Sequence, residues 1–330
     1  MKDIYILGIE TSCDETSASI VKNGSLEIAT VILSQVDIHT LYGGVVPEIA
    51  SRNHVKDITF VIDKCLQDSK MQINDIDAIA VTHGPGLIGS LLVGIEAAKT
   101  LAYVNNLPLI AINHLVSHIY ANNIDKKFEF PLITLVISGG HTELILMNDH
   151  LNFKKIGATL DDAVGECYDK VARVLGLEYP GGPKVEKLAK LGDPLYKLPL
   201  PLNDDSLNFS FSGLKSAVIN LVHKEKELNK ENLCASFQNI VEETLASKTL
   251  KALNEYKVDN LMLAGGVSAN QGIRKRFEKL AKENNFNFSY PEMKYCTDNA
   301  TMVAAAGYFM YKEKKYAPLD LNGVSSDVIN

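Results

Sequence analysis

Two histidines four residues apart, His114 and His118, carry the first chemical signal in this 330-residue chain. On a helix, positions i and i+4 lie one above the other, so both imidazoles could grip one metal ion. The stretch His114-Leu115-Val116-Ser117-His118 lacks the glutamate of a zincin H-E-x-x-H, which removes the general base that metallopeptidase chemistry needs. A third ligand would have to come from afar. Asp298, in Cys296-Thr297-Asp298-Asn299 just ahead of a small-residue helix, is the candidate. Two imidazoles and a carboxylate leave coordination positions open and suit Fe(II) or Zn. Read alone, the pair is as compatible with two surface histidines.

Four loops could handle a phosphate or a nucleoside. Glu10-Thr11-Ser12-Cys13-Asp14-Glu15-Thr16 offers hydroxyls and backbone amides, yet Asp14 and Glu15 would repel an anion unless a cation lies between or one acts as base. Gly84-Pro85-Gly86-Leu87-Ile88-Gly89 stands where a strand hands over to a helix, suited to an anion or to tight helix-on-strand packing. It is neither a P-loop nor a dinucleotide fingerprint. Ser138-Gly139-Gly140-His141 is a nearly side-chain-free turn, either a phosphate cradle or a hairpin with left-handed glycine. Gly265-Gly266-Val267-Ser268-Ala269-Asn270 could floor a purine, with Asn270 as a ribose or base contact or as a helix N-cap.

The elements that must position these residues follow from pattern. Ile4–Ile9 and Ser17–Val21 read as strands around the first loop, and Leu132–Ser138 and Thr142–Met147 repeat the arrangement. Two such hairpins point to a duplicated α/β core, one copy per lobe. Helices are expected over His54–Asp68, Ser90–Val104, from His114 onward, over Gln271–Glu283 and over Ala300–Tyr311. Strands are expected at Ala78–Thr82, Leu107–Ile112 and Asp259–Leu263. The lobes are drawn as 1–113 and 114–330, with a helix over 300–316 able to pack back on the first and an irregular insertion over about 179–212.

Composition narrows the class. Hydrophobic residues make up 46% and charged residues 22%, an ordinary globular balance, and the net charge is −7. Bulk charge gives no reason to expect nucleic acid, and a basic run such as Arg274-Lys275-Arg276 is as easily a solvated helix face. Five scattered cysteines fit a reducing compartment, and no apolar stretch approaches the roughly 18 residues of a membrane span. A cytoplasmic protein without a signal peptide is expected.

Taken in order, these motifs resemble one family. Gly8-Ile9-Glu10-Thr11-Ser12-Cys13-Asp14-Glu15-Thr16, Pro47-Glu48-Ile49-Ala50-Ser51-Arg52-Asn53-His54, Gly84-Pro85-Gly86-Leu87, the His114/His118 pair, Ser138-Gly139-Gly140-His141-Thr142, Gly165-Glu166-Cys167-Tyr168-Asp169-Lys170, Tyr179-Pro180-Gly181-Gly182-Pro183, Phe211-Ser212-Gly213-Leu214-Lys215, Gly265 through Asn270 and Thr297-Asp298-Asn299 are similar to the bacterial TsaD family, also called Gcp or YgjD. The resemblance spans residues 4 to about 311. It implies the duplicated two-lobed fold of actin, the large heat-shock ATPases and sugar kinases, with nucleotide held between lobes. It implies passage of a threonylcarbamoyl group from threonylcarbamoyl-adenylate to N6 of the adenosine 3′ of the tRNA anticodon, in tRNAs reading codons that begin with adenine, with release of AMP.

Carried over by position, His114, His118 and Asp298 would bind one metal per subunit, usually Fe(2+), with Zn or Mg as alternatives. Val136, Ile137, Ser138, Gly139, Gly140, Asp169, Gly182 and Asn270 would contact the adenylate, as would Glu186, where many relatives carry the shorter Asp. Glu15 or Asp14 is the expected base toward the incoming amine, with His141 a polar partner. A TsaB-like paralogue and a TsaE-like ATPase are the expected helpers. The rival readings are an ATP-dependent phosphotransferase or ATPase of the same fold, a metallopeptidase, and a nucleotide-binding scaffold.

Overall fold

The apolar run near the N-terminus forms β1 (Tyr5–Glu10), and after the polar loop the chain returns as β2 (Glu15–Lys22) and turns into β3 (Leu26–Ser34). Next come α1 (Val36–Thr40), α2 (Pro47–Ser69), β4 (Ala78–Gly84), α3 (Ile88–Asn105), β5 (Leu109–Asn113) and α4 (His114–Tyr120). β1 pairs antiparallel with β2 and parallel with β4, and β5 continues in parallel beyond β4. The sheet order is β3-β2-β1-β4-β5. This computed structural model describes every residue except Met1, Asp125, Lys226, Val328 and Asn330.

The second sheet repeats the plan. β6 (Leu132–Ile137), β7 (Thr142–Asp149) and β8 (Asn152–Ala158) form the antiparallel part, and β9 (Asn260–Ala264) and β10 (Asn287–Ser289) add parallel strands on the far side of β6. Between β8 and β9 lie α5 (Val164–Val174), α6 (Gly181–Ala189), α7 (Ser212–Lys224) and α8 (Lys230–Tyr256), and α9 (Gln271–Asn284) precedes β10. The chain closes with α10 (Ala300–Lys312).

These elements fall into two units, Met1–Phe128 with Pro291–Asn330, and Glu129–Tyr290. The division thus lies after Phe128 rather than after Asn113, and the C-terminal stretch belongs with the first sheet. Packing explains both placements. Strand alternation sends Leu7 and Ile9 into a core with Ile58, Val61, Leu91 and Ile95 of α2 and α3. Ile6 and Gly8 face the other way, where α10 lies so close that a side chain on Gly8 would run into the Ala300 carbonyl. Residues Ala300 to Gly307 are all buried, and Tyr120 of α4 lies 4.9 Å, ring to ring, from Phe309 of α10. A strand buried on both faces reads as a continuous apolar run, which is what Ile6-Leu7-Gly8-Ile9 is.

The stretch 179–212 is less irregular than expected, because α6 sits inside it. Its Gly181-Gly182-Pro183 start looks like a helix breaker. However, first-turn amides have no partner within the helix, so proline is tolerated there.

Candidate active site

Four elements of the first unit build a metal-ligand set. Asn113 caps α4, its side-chain oxygen accepting from the amides of Leu115 and Val116 at 2.9 and 3.2 Å, and this starts the helix with His114 in its first turn. His114 and His118 then share one face, with ring centroids 4.7 Å apart. Asp298 arrives from the turn before α10, which Asn299 fixes by capping Met302 N at 3.0 Å and donating to Thr297 O at 2.7 Å. Nε2 of His118 lies 3.1 Å and Nε2 of His114 3.5 Å from the same Asp298 oxygen. The three ligating atoms all fall within 4.8 Å of one another. Metal bonds of about 2.0–2.2 Å need donors roughly 3–4 Å apart, so this donor set fits one divalent ion with open positions.

The electrostatics agree with that fit. Burial would raise the Asp298 carboxyl, but the charges of His114 and His118 hold it at about 2. Burial would lower His114, but Asp298 and Glu10 hold it at about 9. In the metal-free protein a proton thus does what a bound cation would do.

Glu10 was not singled out from sequence as a site residue. It ends β1 on the same face as Ile6 and Gly8, and that alternation was the available signal. Its carboxylate is fully buried. Oε1 accepts from Ser12 N–H at 2.5 Å, Oε2 accepts from the Thr82 hydroxyl at 2.6 Å, and Nδ1 of His114 lies 3.4 Å from Oε2. The Ser12 hydroxyl is 3.2 Å from the same ring nitrogen.

The loop carrying Asp14 and Glu15 is pinned from several sides. His54 is fully buried, with one ring nitrogen 3.0 Å from Cys13 O and the other 2.7 Å from the Thr16 hydroxyl. Thr11 donates to Ser90 O at 2.8 Å, and Leu87 N–H to Ser12 O at 2.9 Å. Burial pushes the Glu15 carboxyl well above the usual range, and the charges of Asp298 and Asp14 push it the same way. Its strongest charged neighbour is therefore Asp298, the candidate ligand, and a cation there would draw its pKa back down.

The adenylate set lies wholly in the second unit. Ser138 N–H donates to His141 O at 2.9 Å and His141 N–H to the Ser138 hydroxyl at 3.1 Å, closing the turn. Neither Gly139 nor Gly140 has a positive φ, so the left-handed hairpin reading does not apply. Val136 and Ile137 are fully buried on β6, which pairs with β7 and β9. Gly165 N–H donates to Ser138 O at 3.2 Å, which seats α5 under the turn. Asp169 on α5 accepts from Gly181 N–H at 2.8 Å, and burial raises its carboxyl.

Glu186 accepts from Gln271 N–H at 3.0 Å and pairs with Lys190 at 2.7 Å. Asn270 caps α9 through Ile273 N–H at 3.0 Å and exchanges two hydrogen bonds with Gln238. The sequence positions thus form a continuous path from Ser138 through Gly165, Asp169, Gly181 and Glu186 to Gln271. Asn270 fills the N-cap role, with its side chain already engaged. Within the basic run on α9, Arg276 forks onto Glu243 at 2.8 and 3.1 Å, and Arg274 donates to Ser268 O at 2.6 Å.

Two units on one sheet plan give the duplicated α/β fold that the resemblance implies. Solved structures agree at the level of fold. T. kodakarensis HypF matches with a TM-score of 0.64 at 14% identity, covering 97% of this chain and 49% of that one. The Acidaminococcus fermentans (R)-2-hydroxyglutaryl-CoA dehydratase component A matches with a TM-score of 0.55 at 16% identity, covering 94% and 99%. The particular family comes from sequence. The TsaD profile, tRNA N6-adenosine threonylcarbamoyltransferase, matches residues 27–305. The Staphylococcus carnosus tRNA N6-adenosine threonylcarbamoyltransferase is 53% identical over 330 residues, 98% of this chain and 96% of that protein. The chain belongs to the TsaD family and is a transferase of tRNA modification.

Proposed function

We propose that the first unit supplies the reacting groups for threonylcarbamoyl transfer and the second unit holds the adenylate. The observation that carries this division is the convergence of His114, His118 and Asp298 on one point, with the Glu15 carboxyl under the influence of Asp298. N6 of the tRNA adenosine attacks the carbamoyl carbonyl of threonylcarbamoyl-adenylate. A C–N bond forms, the C–O bond to phosphate breaks, AMP leaves and N6 loses a proton. Glu15 takes that proton, Asp14 beside it orients the amine, and His141 contributes a polar contact. His114, His118 and Asp298 would hold a divalent ion, Fe(2+) by family resemblance, which would supply positive charge to oxygens that gain charge. Ser138 to Gly140, Asp169, Gly182, Glu186 and the backbone near Asn270 bind the AMP portion.

The family resemblance supports a TsaB-like paralogue and a TsaE-like ATPase as helpers and a cytoplasmic location. Among the described residues no helix is long and apolar enough to cross a membrane. The test is incubation with threonylcarbamoyl-adenylate, tRNA and those helpers, followed by nucleoside analysis. Threonylcarbamoyladenosine should form, and Glu15→Gln should slow it by about 10²–10⁴-fold with normal metal content. An unchanged rate in that variant would remove Glu15 from the reaction.

A further inference from the structure

We propose that Glu10 is a positioning residue of the metal centre, fixing which nitrogen of His114 is free to bind metal. The inference rests on the ligand set proposed above. Its starting observation is a carboxylate with no solvent contact placed behind a candidate ligand. A neutral imidazole carries one proton on either Nδ1 or Nε2, and the nitrogen that carries it cannot bind a metal. Nε2 of His114 faces Asp298, so the proton must reside on Nδ1. Two groups lie near Nδ1. The Ser12 hydroxyl can donate or accept and imposes no choice, whereas a carboxylate only accepts. Glu10 therefore selects the Nδ1–H form and orients the ring, as outer-shell carboxylates do for metal-bound histidines.

The surroundings of Glu10 make the idea sharply testable. Its Oε1 accepts from the backbone N–H of Ser12, a donor that cannot reverse its role. In Glu10→Gln the amide oxygen must stay at that position, because an NH2 group there would meet the N–H head-on. The amide nitrogen then takes the Oε2 position, where Thr82 Oγ1 can accept from it and where it points at His114 Nδ1. It would donate to Nδ1, drive the ring proton to Nε2 and block the metal. Glu10→Ala removes the selector but leaves Nδ1–H able to donate to the Ser12 hydroxyl. The near-isosteric change should therefore be the more damaging one, the reverse of what a space-filling role for Glu10 would give.

The experiment is zinc titration of the metal-free full-length protein and of the two variants, with a competing chelator. Glu10→Gln should lose about 10–100-fold in zinc affinity, with Glu10→Ala between it and the unmodified protein. Zinc binding by Glu10→Gln as tight as in the unmodified protein, or tighter than in Glu10→Ala, overturns the proposal. A long-range ¹H–¹⁵N spectrum of the zinc-loaded unmodified protein tests it without any variant. It should show His114 bound through Nε2 and protonated at Nδ1, and coordination through Nδ1 overturns the proposal. Failure of the ligand set itself would look different, since zinc would then be released equally well by all three proteins.

Discussion

The glycines packed around the loop of Asp14 and Glu15 and four glycines of the second unit are put to opposite uses. In the first unit a Cβ on Gly86 would sit 2.7 Å from Ser12 O, one on Gly89 2.5 Å from the Ser51 hydroxyl, and one on Gly94 2.5 Å from the Thr11 hydroxyl. These glycines let α3 and the turn before it press against the loop that carries Asp14 and Glu15. In the second unit Gly139, Gly140, Gly182 and Gly266 have nothing within 4 Å of the position a Cβ would take. Here glycine leaves open space where a side chain would stand. One sheet plan thus yields a unit whose chemistry lies in tightly held side chains, and another whose exposed backbone suits a phosphate and a nucleoside.

The largest break in that contrast should come from Asp298→Ala. It removes the only carboxylate of the ligand set and the charge opposite both histidines. Metal content after purification should fall below detection, and transfer should drop by more than the roughly 100-fold that outer-shell losses reach. Binding of AMP, assigned to the other unit, should fall far less than transfer does. Elemental analysis and calorimetry with AMP read the two effects separately.

Next in size is a matched pair of glycine replacements. Gly182→Leu puts a side chain in the first turn of α6, where a Cβ meets nothing within 4 Å. Stability should change by no more than about 0.5 kcal/mol, while AMP affinity falls at least about tenfold because the side chain fills the open floor. Gly86→Ala should do the reverse. Its methyl group meets a backbone carbonyl, costing about 1–3 kcal/mol of stability with AMP binding intact. If the Gly86 change weakened AMP binding and the Gly182 change did not, the assignment of roles to the two units would be reversed.

How much of this was legible in sequence depends on whether a feature is local. The His114/His118 spacing is written into a single helix turn, and both hairpins follow from strand patterns on either side of polar or glycine-rich turns. Asp298 could be nominated because its turn abuts a helix of small residues. Gly84-Pro85-Gly86 stayed undecided between anion site and packing. The choice depends on the Ser12 carbonyl, more than 70 residues away in sequence. Glu10 read as part of a polar loop, because its role needs the strand face, Thr82 and His114 together. The unit boundary was misplaced for a similar reason: the two-faced burial of β1 does not say which helix covers which face. Asn270 reads first as an N-cap in sequence, and its bonds to Ile273 and Gln238 form that cap.

The smallest expected effect is a pH dependence confined to one unit. In the metal-free protein His114 is held at about 9 against an ordinary value of 6.5, with Asp298 and Glu10 outweighing its burial. A raised pKa contributes stability that is complete below about 6.5 and is lost as pH climbs through about 9, worth at most roughly 3 kcal/mol. Asp298, held at about 2, contributes stability that is present above about 4 and is lost as pH falls toward 2. The first unit without metal should therefore be most stable between about pH 4 and 6.5. In the second unit Lys170 is raised above its ordinary value by Glu166 and Asp162, so its contribution is still complete at pH 9. Hydrogen exchange at pH 6.5 and 9, corrected for the intrinsic rate, should show α4 and the loop after β1 losing protection while α5 keeps it. Zinc should abolish the difference, because the ion replaces the proton between His114 and Asp298. Equal loss in both units, or none in α4, would mean that the His114–Asp298 contact does not hold the first unit together.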